Sequence, residues 1–249
     1  FSTFIKMGVS KNIQQEYTLK IPSNWTEETK NYYQKLKNQN TVDWGVFSVS
    51  MPSDNASDYN SEGERLLAEK ERLETAFDYQ YDILPTYTHM GWYDYENPIY
   101  KNNFKMAKFI AGGNGFNGKP VLQYTYQFTY SNNMELNGYT PMFDILRGKF
   151  DTFFERLAND VKSYEQPVLF RLNNEMNTDW TSYCGMVTLL DPDIYILTWQ
   201  KLYHIFEKQG VNNAIWIFNP IARTTPYSNW GDALNFMPGE DYVQMLGLT

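Results

Sequence analysis

From Asp43 onward, short apolar runs alternate with stretches whose apolar residues recur every three or four positions. The runs predict strands at Trp44–Val49, Ile83–Tyr87, Val121–Tyr126, Val168–Leu172, Ala214–Phe218 and Val243–Leu248. Continuous apolar runs of this length, closed by polar or turn residues, read as buried strands of a parallel sheet. The stretches between them predict helices. Phe143–Val161 is the clearest, with Leu146, Phe150, Phe153, Phe154, Leu157 and Val161 on one face of a 3.6-residue period. Asp193–Lys208 repeats the pattern, and Gly210 is well placed to end it. Glu64–Phe77 and the shorter Phe104–Ile110 complete the series, while Glu27–Leu36 precedes the first strand.

Strands that alternate with helices imply repeated β-α units on a parallel sheet. The predicted fold class is therefore α/β, a (β/α)8 TIM-type barrel of which about six β-α units are present in this chain. The expected organisation is an N-terminal extension with a helix over residues 1–42 and a single barrel domain over residues 43–249. An open doubly wound sheet is the competitor. It requires a phosphate-binding turn after its first strand, and Ser50-Met51-Pro52-Ser53 is not one.

Composition removes several function classes. A net charge of −8 leaves no basic surplus to neutralise phosphates, so no nucleic-acid partner is expected. No apolar run approaches the roughly 20 residues of a membrane span. A single cysteine, Cys184, precludes an internal disulfide framework. Two histidines, His89 and His204, without an H-E-x-x-H pairing give no reason to expect a metal. Gly113-Asn114-Gly115-Phe116-Asn117-Gly118 spells G-x-G-x-x-G, but it follows a helix and precedes a strand. A dinucleotide site has the reverse order, so no cofactor is expected. The aromatic fraction of 17% is high, and such rings serve either a core or the stacking of sugars. The sequence starts at Phe1, so any signal peptide is expected to lie outside it.

The chemistry concentrates where the strand Val168–Leu172 breaks into Asn173-Asn174-Glu175-Met176-Asn177-Thr178-Asp179-Trp180. Barrels of this type gather catalytic groups at the C-terminal ends of their strands. Glu175 has the placement of a general acid/base, and Asn174 that of a hydrogen-bonding partner for a sugar 2-hydroxyl. Alternate residues of a strand share a face, so Arg171, Asn173 and Glu175 address one cavity if extended geometry persists to the strand end. Other strand ends add Tyr87 to Tyr93, Gln123 to Phe128 and Ile215 to Pro220, mixing carboxamides with aromatics as a carbohydrate cleft does. The candidate substrate contacts are Trp180, Arg171, His89, Trp92, Tyr126 and Asn219.

Arg171 to Trp180 resembles the strand-four motif R-P-x-H-E-M-N-G-x-W of glycoside hydrolase family 26. Asn212 to Pro220 and Met237 to Leu248 resemble the family's later N-x-x-W-V-x-N/S-P and P-G-D-x-Y-V-D-x-x-G strands. The resemblance covers about residues 44–249 in order. It implies an eight-stranded α/β barrel and a retaining, two-carboxylate cleavage of β-mannan or a related β-glycan, with no metal or cofactor. It also implies Glu175 as acid/base. The family's usual His before that Glu is Asn174 here, and its Gly after Met-Asn is Thr178. The family's nucleophile is a Glu ending strand seven, and no residue here matches it, so about two further β-α units are expected in the natural protein. The partner is a polysaccharide or oligosaccharide and the location extracellular or at the cell surface. The alternative is a non-catalytic carbohydrate-binding or cell-surface module on the same barrel.

Overall fold

Strands β1 (Ile83–His89), β2 (Val121–Gln127), β3 (Val168–Leu172), β4 (Ala214–Phe218) and β5 (Met245–Leu246) lie side by side in chain order. Every pairing between them is parallel. A computed structural model of the protein describes residues 17–47, 70–90, 120–129 and 140–249. The predicted helix Phe104–Ile110 and the loop Gly113 to Gly118 lie outside the described residues. So do residues 48–49 of the first predicted strand and 64–69 of the predicted helix before β1, of which residues 70–77 are helical.

Sequential parallel order is the signature of a barrel wall. A doubly wound sheet instead reverses direction at a switch point, with its first strands in the middle. The first predicted strand extends the same order: Gly45 bridges Ile83 in parallel, and Trp44 accepts from Asp82 N at 2.9 Å.

The two faces of the sheet carry two separate cores. Leu122, Tyr124 and Tyr126 of β2 and Phe128 just after it face the helices, as do Val168, Phe170 and Leu172 on β3. The other parity, Val121, Leu169, Ile215 and Ile217, forms a second cluster with Trp25 and Tyr32. Those two come from the segment of helix α1 (Glu27–Asn38), capped by Thr26, whose side chain accepts from Thr29 N at 3.1 Å. Trp25 Nε1 donates to Ala214 O at 3.1 Å, at the start of β4. The α1 segment therefore seals the barrel interior at the N-terminal ends of the strands.

Outside, α2 (Met142–Leu146), α3 (Asp151–Lys162) and α4 (Pro192–Lys208) cover the sheet. Many of the described aromatic rings pack here. Trp216 meets Phe170 at 4.7 Å, Phe206 at 5.0 Å and Trp199 at 5.7 Å between ring centroids. Each such ring is worth about 1.5–3 kcal/mol through removal from water.

Two elements differ from the sequence pattern. The helix predicted over Phe143–Val161 is two, because Gly148 adopts φ +90 and breaks it. The apolar period runs on undisturbed because both pieces face the same core. The strand predicted over Val243–Leu248 is regular only at Met245–Leu246. The Gln244 side chain takes the place of a ladder carbonyl there, with Oε1 accepting from Trp216 N at 3.1 Å.

Candidate active site

The extended geometry of β3 ends at Leu172. Asn173 turns to φ 46 and Glu175 to φ 61, both left-handed. Asparagine tolerates that region, since its short amide bonds locally; glutamate has no such excuse and costs about 1 kcal/mol there. The turn also rearranges which side chains share a face. Asn173 does not join Arg171 and Glu175: it is 1% exposed, and its Oδ1 accepts from Phe128 N at 2.8 Å. Its role is to clamp the end of β3 to the end of β2.

Glu175 is half-buried and held by its backbone. Its N–H donates to Asn219 O at 2.7 Å, at the end of β4. Its carbonyl accepts from Thr178 Oγ1 at 2.7 Å, so the threonine closes the turn that carries the acid. Asn177 then pins the loop: its Nδ2 donates to Ile221 O at 3.0 Å and its Oδ1 accepts from Ile221 N at 2.9 Å.

Below this turn, inside the barrel, Arg171 reaches to both sides. Its Nε donates to Thr125 Oγ1 at 2.9 Å and its Nη1 to Asn219 Oδ1 at 2.9 Å, while its Nη2 donates to the Tyr87 hydroxyl. The register explains the fan, because Tyr87, Thr125, Arg171 and Ile217 are mutual partners across β1 to β4. The guanidinium also lies 5.0 Å from the Tyr87 ring centroid, a cation–π distance. Phe47 meets the Tyr87 ring edge-on at 4.9 Å, and both rings are exposed, at 43% and 38%. They form an aromatic face on the interior side of the first two strands.

Asn174 is 5% exposed. Its Oδ1 accepts from Gln127 Nε2 at 3.0 Å, and its main-chain carbonyl accepts from the Tyr183 hydroxyl at 2.9 Å. Gln127 Nε2 also donates to Tyr183 Oη at 3.2 Å. Burial pushes the Tyr183 hydroxyl far above the usual tyrosine range, with the Gln127 hydrogen bond opposing, so it keeps its proton at every working pH.

The residues singled out from the sequence thus fall into three groups. Glu175, Asn174, Arg171 and Asn219 come together around the ends of β3 and β4. His89 is the last residue of β1, in register with Gln127. Trp180 is half-buried in the turns beyond Glu175, and Trp92 lies outside the described residues. Tyr126 does not join them: it is 2% exposed on the helix side of β2, stacked with Tyr124 at 6.2 Å. Asn219 is buried and spends its amide internally, donating to Pro220 O and Thr249 Oγ1 at 3.0 Å each. Tyr87 and Gln127 join the site from strand ends that the sequence marked without singling them out as contacts, and Tyr183 joins it unannounced. Parity finds Gln127, since Leu122, Tyr124, Tyr126 and Phe128 claim the opposite face; nothing local marks Tyr183.

A cavity of about 410 Å³ lies elsewhere, lined by Trp25, Tyr203, His204, Ala214 and Tyr242. It opens beside the N-terminal end of β4, away from Glu175, and shares none of the groups above.

Known proteins share parts of this sequence and its fold. The model of the family described as Glycosyl hydrolase family 26 matches residues 127–249. Endoglucanase H of Acetivibrio thermocellus is 30% identical over 102 residues, which are 40% of this chain and 11% of that protein. Mannan endo-1,4-beta-mannosidase of Bacillus subtilis is 28% identical over 109 residues, 40% of this chain and 28% of that protein. The chain thus spans well under two thirds of the length of either relative. A solved structure of a Bacillus subtilis mannanase superposes with a TM-score of 0.66 at 19% identity, covering 94% of this chain and 72% of that one. The shared architecture is part of an α/β barrel. The match to glycosyl hydrolase family 26 spans residues 127–249, which hold Glu175 and every hydrogen bond described around Asn174.

Proposed function

We propose that the full-length protein is a glycoside hydrolase that cleaves a β-linked polysaccharide, a β-mannan or related β-glycan, with Glu175 as general acid/base. One observation carries this reading: a half-buried glutamate at the C-terminal end of a central barrel strand, held in a left-handed conformation by its N–H bond to Asn219 at the end of β4 and by the Thr178 hydroxyl of its own turn. Strain of that kind at a polar residue is kept where geometry matters more than stability.

In this reading Glu175 protonates the departing glycosidic oxygen, then takes the proton of the water that resolves a glycosyl-enzyme intermediate. Retention requires a second carboxylate about 5–5.5 Å away as nucleophile, and no residue is assigned to it. Asn174 hydrogen-bonds the sugar beside the reacting carbon. Arg171 braces the strand ends beneath, and the Phe47–Tyr87 face offers a platform for a sugar ring. A polymeric glycan does not cross a membrane, so the enzyme works outside the cell or on its surface.

The test is reducing-sugar release from mannan, mixed-linkage glucan and xylan by the full-length protein and its Glu175→Gln variant. Loss of about 10²–10⁴-fold with unchanged folding is expected, the usual range for a proton-transfer group. Undiminished turnover by the variant removes Glu175 from the chemistry. Tight glycan binding with no turnover by the unaltered protein makes the barrel a binding module instead.

A further inference from the structure

We propose that Gln127 and Tyr183 are positioning residues that fix which end of the Asn174 carboxamide meets substrate, making Asn174 an obligate hydrogen-bond donor to a ring hydroxyl oxygen beside the scissile bond. This rests on the hydrolase reading and adds a specificity rule to it.

The orientation of an amide cannot be read from atom positions alone, because its oxygen and nitrogen are nearly the same size; it must follow from partners. Here it follows without ambiguity. The Asn174 main-chain carbonyl can only accept, so the Tyr183 hydroxyl 2.9 Å away must give it the one proton it has. Tyr183 Oη can then only accept from its other neighbour, so the Gln127 atom at 3.2 Å is the amide nitrogen. That same nitrogen stands 3.0 Å from the end of the Asn174 side chain, which must therefore be the acceptor Oδ1. Both Gln127 N–H groups are consumed. A backbone carbonyl, which cannot reverse, thus sets the polarity of three side-chain groups in turn.

What remains is Asn174 Nδ2. It makes no hydrogen bond among the described residues, although Asn174 is 5% exposed. With Oδ1 engaged by Gln127, Nδ2 is the end of the carboxamide left to meet an acceptor from outside the protein. A hydroxyl oxygen on the sugar ring supplies one. A protonated amine at the same ring position has donors only and meets the amide head-on. The arrangement therefore selects glycans with a free hydroxyl there and rejects 2-amino-2-deoxy sugars.

The conservative variant Gln127→Glu keeps the shape of the side chain but cannot donate. Asn174 must then turn its Nδ2 towards position 127, presenting Oδ1 to the sugar. The experiment measures kcat/KM of the full-length protein and of Gln127→Glu on a β-linked oligosaccharide and on its 2-deoxy analogue. The unaltered protein should lose roughly tenfold or more when the hydroxyl is removed, the worth of one lost hydrogen bond to a buried donor. The variant should lose about as much on the hydroxylated substrate while its rate on the analogue stays within about twofold, so the discrimination collapses. Equal losses on both substrates mean that Gln127 only supports the fold, and this overturns the proposal. If Gln127→Glu does not fold, Tyr183→Phe removes the anchor instead and should lower the same discrimination ratio. An unaltered protein that binds but does not cleave allows the same ratios to be read as Kd by calorimetry. One that neither binds nor cleaves either sugar removes the hydrolase reading and the polarity rule together.

Discussion

Arg171 and Asn219 join across the barrel interior, Nη1 to Oδ1 at 2.9 Å, and Asn219 carries the carbonyl that holds the backbone of Glu175. The cation below and the acid above thus share one anchor. Gly247 fits against it: a Cβ there would lie 3.0 Å from Asn219 Cγ and 3.1 Å from its Oδ1. Asn219→Ala should cost about 1–3 kcal/mol, because Arg171, Pro220 O and Thr249 each lose a partner. Gly247→Ala, which adds an atom but removes no hydrogen-bonding group, should shift Asn219 and destabilise in the same direction. Urea unfolding of the two variants checks both, and an unchanged midpoint for Gly247→Ala would show that Asn219 is free to yield.

Glu175 is the reverse case, a residue whose replacement should help the fold. At φ 61 a side chain beyond glycine is strained. Glu175→Gly should raise stability by up to about 1 kcal/mol while activity disappears. In a domain of this size that is a rise of roughly 2–4 °C in Tm. A fall in Tm would mean that the carboxylate contributes packing or hydrogen bonding that outweighs its backbone cost.

Trp25 seals the interior, and its two contributions are separable. Trp25→Phe keeps most of the ring but leaves Ala214 O without its indole donor, a loss of about 1 kcal/mol. Trp25→Ala also empties the space beside Tyr32, Val121 and Ile215, and should cost about 3–5 kcal/mol. Thermal unfolding of the pair gives the two terms, and equal losses would place the whole effect in the hydrogen bond.

Alkaline pH should unfold the protein cooperatively. Burial pushes the Tyr164 hydroxyl up to about 12 and those of Tyr183, Tyr195 and Tyr32 well up too, against 10.0 for an exposed tyrosine. A raised value in the folded state stabilises fully below pH 10, where both states hold the proton. That contribution is lost as pH climbs from 10 towards the folded values, at roughly 1.4 kcal/mol per pH unit for each tyrosine. Circular dichroism and phenolate absorbance should therefore change together between about pH 10 and 12. Separate transitions, with these phenols ionising while the fold persists, would contradict the burial argument.

The parallel order, the strands β3 and β4 to the residue, and the role of the segment around Glu175 as the chemically distinctive strand end were legible because continuous apolar runs and their abrupt polar ends are local signals. The break at Gly148 was not, since the apolar period on either side serves one core and masks the interruption. Extrapolating strand geometry past Leu172 misplaced Asn173, because a left-handed turn cancels the alternation that such reasoning assumes. Tyr126 was assigned by composition of the strand end, when the alternation of Leu122, Tyr124 and Phe128 already put it among the helices. Tyr183 carried no signal at all: its importance lies in one proton aimed at a carbonyl nine residues earlier in the chain.

The seal contributed by Trp25 has a consequence for assembly. Each strand neighbours the one made before it, so the sheet can grow a unit at a time as the ribosome delivers it. The indole, by contrast, finds its acceptor 189 residues downstream, and the Tyr33 hydroxyl finds Gln244 O 211 residues downstream. Among the described segments, the one synthesised earliest is thus the one that must wait longest, held in reserve until the fourth and fifth strands exist to receive it.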